Sequence, residues 1–371
     1  MRVLHFYKTY YPDSLGGVEQ VIRQLCASTR PLGVEPTVLT LTRERDRPEF
    51  MFEGTRVVRA PLDLEFASTG LSWRAIGQLR ALAAEADLVH YHFPWPFMDL
   101  AHFLGGVRKP SLVTYHSDIV RQRYLNKLYT PLRNRFLAQV DAIVATSPNY
   151  LASSEVLARF RAKTRTITYG LDQQIYPVPD AARLARWRAV TGEKFFLFVG
   201  VLRYYKGLHI LLDAMAQCDY PVVIVGAGPI EEELKAHASR LGLRNVLFVG
   251  ALDEPDKVAL LQLCYAVAFP SHLRSEAFGI SLLEGAMYGK PMISSEIGTG
   301  TTYINVHGDT GLVVPPSDPQ ALAAAMRTLW EQPAMAAAMG ARAAARYQAL
   351  FTAEQMGSNY AALYRELLAR A

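Results

Sequence analysis

Short continuous apolar runs alternate along the chain with longer stretches whose apolar residues recur every three or four positions. In the first half the runs are RVLHFY (2–7), PTVLTLT (36–42), TRVVRAP (55–61), DLVHYHF (87–93), PSLVTYH (110–116), AIVATS (142–147) and TRTITYG (164–170). GVEQVIRQLCAS (17–28) and SWRAIGQLRALAAEA (72–86) carry the helical period. After GLDQQIYPVPDAARLARW (170–187), punctuated by Gly170, Pro177 and Pro179, the alternation resumes with KFFLFVG (194–200), PVVIVG (221–226), NVLFVG (245–250), YAVAFPS (265–271), PMISSE (291–296) and TGLVVPP (310–316). Strands that are apolar throughout belong to sheets buried on both faces, and strand–helix alternation makes those sheets parallel. The pattern predicts an α/β chain of two doubly wound, Rossmann-like domains facing across a cleft. Their expected bounds are 1–172 and 193–351, with a linker at 173–192. A last helix at 352–371 is expected to cross back to the N-terminal domain.

The 371 residues are half hydrophobic and one-fifth charged, which is globular and not disordered. No stretch reaches the roughly 18 apolar residues of a spanning helix, and Met1 to Tyr7 leads directly into a first strand, so no signal peptide is expected. Cys26, Cys218 and Cys264 are scattered without metal spacing, which points to a reducing, cytoplasmic compartment. Residues 1–172 hold 22 Lys and Arg against 16 Asp and Glu, while the remainder holds 17 against 18. The first half therefore carries the whole basic excess, as a surface meeting a polyanion or an anionic membrane would.

In open α/β sheets ligands collect at the carboxyl ends of the strands, and the candidate chemistry lies there. Gly16 and Gly17 sit where the first strand hands over to a helix; they are either an ordinary turn or a close approach of helix amides to an anion. VGVLRYYKGLHILLDAM (199–215) places Arg203 and Lys206 after a strand, a pair of cations suited to a diphosphate. Gly226 and Gly228 of IVGAGP (224–229) end the next strand; no full GxGxxG is present, which speaks against a nicotinamide cofactor. PSHLRSEAFGISLLEGAMYGKPMI (270–293) holds Glu276 and Glu284, eight residues apart. A helix is expected from about Phe278, so the amides of Phe278, Gly279 and Ile280 are free to meet ligand oxygens, and Glu284 falls about two turns in. His90 and His92 alternate on a strand with no carboxylate cluster beside them, which argues against a metal.

These features together resemble glycosyltransferase family 4: the spaced glutamates with FG between them, the RxxKG loop, GAGP, the GG loop and TGLVVPPSD. The resemblance covers nearly the whole chain and implies a retaining, metal-independent enzyme of the GT-B fold with no cofactor beyond its nucleotide-sugar donor. It implies that Gly16 and Gly17 approach the donor phosphate, and that Arg203 and Lys206 neutralise the leaving diphosphate. Glu276 would face the donor sugar, with Phe278, Gly279 and Ile280 contributing backbone contacts. Glu284 would bind the ribose, Gly226 and Gly228 the nucleotide, and His116 would serve as the active-site histidine. HFYKTYYPDSLGGVEQV (5–21) and IGTGTTYINVHGDTGLVV (297–314) look most like bacterial O-antigen mannosyl- and rhamnosyltransferases. That subgroup implies a GDP-sugar donor and a lipid-linked saccharide acceptor, and no nucleic acid. A UDP-sugar transferase of the same fold, a non-hydrolysing UDP-sugar epimerase and a non-catalytic nucleotide-sugar binder remain open on the residues alone.

IVRQRYLNKLYTPLRNRFLAQ (119–139) carries Arg121, Arg123, Lys127, Arg133 and Arg135 with no acid among them. Leu125, Leu128, Tyr129 and Leu132 fall on one helical face, with Pro131 expected to kink or break the run. The stretch is either a solvated basic helix packed on the core or a surface that holds a peripheral enzyme on the inner face of the cytoplasmic membrane.

Overall fold

The computed structural model describes residues 1–14, 16–44, 47–66, 69–119 and 123–370. They form two compact units: residues 1–171 together with 352–371, and residues 172–351.

The first unit is built on an eight-stranded sheet. Its strands are β1 (Arg2–Phe6), β2 (Glu35–Thr42), β3 (Glu49–Phe52), β4 (Thr55–Pro61), β7 (Leu88–Phe93), β8 (Ser111–Tyr115), β9 (Ala142–Ala145) and β10 (Thr164–Thr166); β5 (Leu64–Phe66) and β6 (Thr69–Leu71) form a separate hairpin. The order is β10-β9-β8-β7-β1-β2-β4-β3, parallel except where β3 turns back along β4. The central strands are buried at every position of β7 and β8, which explains their largely apolar character. The register sets His5 of β1 beside His90 of β7, and His92 beside Thr114 of β8. Side chains two apart on a strand share a face, so His5, His90, His92 and Thr114 line one face, and His116 continues it just past the end of β8.

That face is covered from far along the chain. The helix Ala353–Arg370 belongs to this unit. Its Tyr364 hydroxyl lies 2.8 Å from His90 Nδ1, and Tyr360, one turn earlier, lies 2.8 Å from Thr114 Oγ1. The Ala353 amide donates to the Leu171 carbonyl at the start of the helix (2.9 Å).

The basic stretch forms one helix, Arg123–Gln139, that runs through Pro131 without ending there. Phe136 and Leu137 are fully buried, and that anchorage outweighs the hydrogen bond a proline removes. The expected single apolar face is not present. Tyr129 donates its hydroxyl to the buried carboxylate of Asp99, whereas Leu128 is 81% exposed. Nor are the cations uniformly solvated: Arg133 is buried, while Lys127 and Arg135 are exposed. Arg121 and the side chains of Arg123 and Leu125 lie outside the described residues.

The second unit holds a six-stranded parallel sheet ordered β13-β12-β11-β14-β15-β16. Its strands are β11 (Phe196–Val199), β12 (Val222–Val225), β13 (Val246–Gly250), β14 (Ala266–Phe269), β15 (Met292–Ser295) and β16 (Gly311–Val314). The order steps outward to both sides from β11 and β14, so the loops leaving those two strands diverge and open the crevice typical of doubly wound sheets. Residues 173–192 are not a linker but part of this unit. The helix Ala181–Thr191 is held by Asp256, which accepts from Arg183 (2.7 Å), Arg186 (2.5 Å) and Trp187 (3.0 Å), with Trp187 itself buried.

Candidate active site

In the second unit the loops after β11, β14 and β15 are tied together. The loop after β11 turns through a short 3-10 helix, Tyr204–Lys206. Lys206 Nζ reaches back to Glu276 Oε2 at 2.5 Å, with both side chains 11% exposed. Burial would lower the lysine's pKa, but the Glu276 carboxylate outweighs it and holds the ammonium charged. Ser271 Oγ also donates to Glu276 Oε2 (3.4 Å). His272 fastens the same two loops: its amide donates to Tyr205 O (3.0 Å), and its ring lies 3.1 Å from Tyr204 O and 3.0 Å from Ser317 Oγ. Arg274 donates to Gly298 O (2.9 Å) and the Gly300 amide to Ala277 O (2.9 Å), which brings in the loop after β15. Arg203 is exposed beside this assembly.

The helix after β14 begins at Ile280, two residues later than its sequence pattern suggests, and spans eight residues to Met287. Gly279 precedes it with φ +100°, a left-handed conformation that favours glycine, and no side chain caps the helix start. Its first amides are thus left for another acceptor. Glu276 lies before the helix and Glu284 is its fifth residue, so the two carboxylates do not share one helical face. They have separate environments. Glu284 Oε1 accepts from Tyr176 (3.0 Å) and from Lys257 (2.8 Å), and Lys257 also contacts Glu254 (2.6 Å). Burial and the adjacent Glu284 push the Tyr176 hydroxyl well above its ordinary range.

Gly226 and Gly228 have a local reason to be glycine. A Cβ on Gly226 would lie 2.0 Å from the Gly200 carbonyl, and one on Gly228 would lie 2.3 Å from the Leu202 carbonyl. The loops after β11 and β12 therefore pack backbone on backbone.

In the first unit Gly17 opens the helix Gly17–Thr29, with Gly16 extended before it (φ −97°). Glu19, in the first turn, accepts from Ser14 Oγ at 2.7 Å. His116 is buried, with Nε2 3.0 Å from His92 Nδ1 and Nδ1 bonded to the Tyr169 hydroxyl. Burial pushes its pKa down to about 3, so the ring is neutral. His5, His90 and His92 bring nitrogen atoms within 4.8 Å of one another. Both nitrogens of His90 and of His92 are hydrogen-bonded within the unit.

Sequence reasoning missed Tyr176, Lys257, Ser271, His272 and Arg274. Ser271, His272 and Arg274 carried a signal, since they sit inside the glutamate motif; Tyr176 and Lys257 come together with Glu284 only through folding.

Two family models divide the chain: "Glycosyltransferase Family 4" matches residues 15–174 and "Glycosyl transferases group 1" matches residues 183–346. The chain is 66% identical to D-rhamnosyltransferase WbpZ of Pseudomonas aeruginosa, over 95% of this chain and 93% of that one. The chain belongs to glycosyltransferase family 4. It is also 49% identical to O-antigen chain mannosyltransferase C of Escherichia coli, over 99% of both chains. Among solved structures, sucrose-phosphate synthase from Thermosynechococcus elongatus superposes with a TM-score of 0.81 at 23% identity over the whole of both chains. WaaG, a glycosyltransferase involved in lipopolysaccharide biosynthesis, gives 0.72 at 17% over 98% of this chain and 99% of that one. The fold is GT-B: two Rossmann-like domains with parallel sheets.

Proposed function

We propose that the chain is a retaining hexosyltransferase that moves mannose or D-rhamnose from a GDP-sugar onto a lipid-linked saccharide in O-antigen assembly. The observation that carries this is the 66% identity to a D-rhamnosyltransferase, sustained over 95% of the chain. The geometry supports the chemistry. Lys206 and the exposed Arg203 supply positive charge at the end of β11, where a departing diphosphate gathers negative charge. The uncapped start of the helix Ile280–Met287 adds oriented amides. Until a donor arrives, Glu276 balances Lys206; a bound diphosphate would compete for the ammonium and release the carboxylate toward the sugar. Glu284, held by Tyr176 and Lys257, presents a fixed acceptor to ribose hydroxyls. No step requires a metal ion, because the cations and helix amides carry the leaving-group charge.

The same reading makes the protein peripheral on the inner face of the cytoplasmic membrane, where a lipid-linked acceptor is found. Among the described residues no helix is long and apolar enough to cross a membrane. Lys127, Leu128 and Arg135 stand exposed on the basic helix of the first unit.

The test is transfer from GDP-mannose, GDP-D-rhamnose and UDP-glucose to a lipid-linked saccharide, with the anomeric configuration of the product read by NMR. An α-linked product from a GDP-α-sugar supports the proposal. Turnover with UDP-glucose alone, or an inverted product, would overturn it.

A further inference from the structure

Three buried histidines of the first unit, His5, His92 and His116, form a line with a direction. His5 Nδ1 lies 3.1 Å from His92 Nε2, His92 Nδ1 lies 3.0 Å from His116 Nε2, and His116 Nδ1 meets the Tyr169 hydroxyl. His5, His92, His116 and Tyr169 are all buried. A neutral imidazole carries one N–H and one bare nitrogen. Each contact between two rings needs one proton, so the choice made at any ring dictates the choice at every other. All three rings are therefore Nδ1–H or all three are Nε2–H.

The ends of the line decide between these. Among the described residues His5 Nε2 has no hydrogen-bond partner. In the Nε2–H arrangement it would be an orphaned buried donor, the costlier and rarer state. In the Nδ1–H arrangement it is a bare lone pair, and His116 donates to the Tyr169 hydroxyl. Among the described residues the line has no hydrogen-bonded continuation beyond the buried His5 Nε2, so it sets polarity and does not relay protons onward.

We propose that His5, His92 and Tyr169 are positioning residues that hold His116 as the neutral Nδ1–H tautomer, fixing the strand end that His116 occupies for transfer. The line itself stands on geometry alone; its link to transfer rests on the reading of His116 as an active-site residue.

The experiment is ¹⁵N-histidine labelling of the whole protein, with tautomers read from two-bond ¹H–¹⁵N correlations and assigned by single substitutions. Nδ1–H signatures at His5, His92 and His116 together are the expected result. Tyr169→Phe, nearly isosteric, removes the terminal acceptor and makes the two polarities similar in cost, so His5, two rings away, should show both tautomers. A role in packing alone would leave His5 unchanged. His5→Gln, which keeps a donor, should preserve the His92 and His116 signals, providing a second readout if Tyr169→Phe folds poorly. In transfer assays Tyr169→Phe should lower kcat about tenfold with donor KM nearly unchanged. Different tautomers within the wild-type line, or one stoichiometric metal ion bound per chain, would overturn the line. Coupled tautomers with wild-type kcat in Tyr169→Phe would leave the line standing and overturn its link to transfer.

Discussion

Lys206 Nζ and Glu276 Oε2 are 2.5 Å apart in a site where neither side chain is more than 11% exposed. A loop cation would be expected to be dispensable for folding, but this one is the counter-charge of a buried carboxylate. Lys206→Ala should therefore lose transfer and also cost roughly 2–4 kcal/mol of stability, because it strands Glu276. Lys206→Met combined with Glu276→Gln should recover much of that stability without recovering activity. Arg203→Ala, at an exposed position, should lose activity with stability changed by less than about 0.5 kcal/mol. Urea unfolding and single-turnover transfer, measured on the same preparations, separate the two effects; equal stability of Lys206→Ala and wild type would contradict the pairing.

GDP should raise the melting temperature more than UDP, ADP or dTDP at equal concentration, since a ligand that binds only the folded chain stabilises it in proportion to its affinity. A larger shift with UDP would count against the GDP-sugar assignment while leaving the fold and family untouched.

Glu284→Gln should weaken GDP binding about tenfold, the scale of one charge-assisted hydrogen bond of roughly 1.5 kcal/mol. Lys257→Met should weaken it too, although Lys257 need not touch the nucleotide, because it is one of the two groups orienting Glu284. Calorimetric titration with GDP reads both; wild-type affinity in Glu284→Gln would remove the ribose role.

Acid should destabilise the first unit early. Burial holds His5 and His116 at about 3, and His90 and His92 well below their ordinary value. Between about pH 3 and 6.5 the unfolded chain therefore binds protons that the folded chain does not, so stability falls as pH falls through that window. Each such histidine contributes a slope of up to about 1.4 kcal/mol per pH unit. Unfolding free energies measured from pH 7 to pH 5 should drop steeply, and His5→Gln should reduce the slope by about one proton. A flat profile over that range would mean that these rings are charged or hydrated in the fold.

Vesicles containing anionic lipid should bind the protein in low salt and release it in high salt. Lys127→Glu with Arg135→Glu should abolish binding, and Leu128→Asp should weaken it at either salt level. Sedimentation unchanged by salt and by these replacements would make the helix an ordinary solvated face.

Much of this arrangement was legible in the chain itself, for identifiable reasons. The largely apolar runs of β7, β8, β11 and β14 announce strands buried on both faces, and the glutamate motif with its FG pair marks a strand end by local sequence alone. What stayed hidden depends on distance. Lys257 is 27 residues from Glu284 and Tyr176 is 108 away, so no spacing rule could join them. His5 and His92 sit on different strands and His116 just past the end of a third, and only the β1–β7–β8 register stacks them on one face. The Ala181–Thr191 helix looked like a connector because its flanking prolines are strong punctuation, whereas its attachment depends on Asp256.

The first unit is finished by its most distant piece. During synthesis β1 to β10 leave the ribosome with the histidine face bare, and Tyr360 and Tyr364 follow only after all 180 residues of the second unit, 172–351. At translation speeds of ~5–20 residues per second that interval is roughly ten seconds or more. Throughout it, a sheet carrying four buried imidazoles in the finished fold waits without its cover. A nascent chain that ends anywhere between residues 172 and 351 therefore displays a first unit whose histidine face is still open.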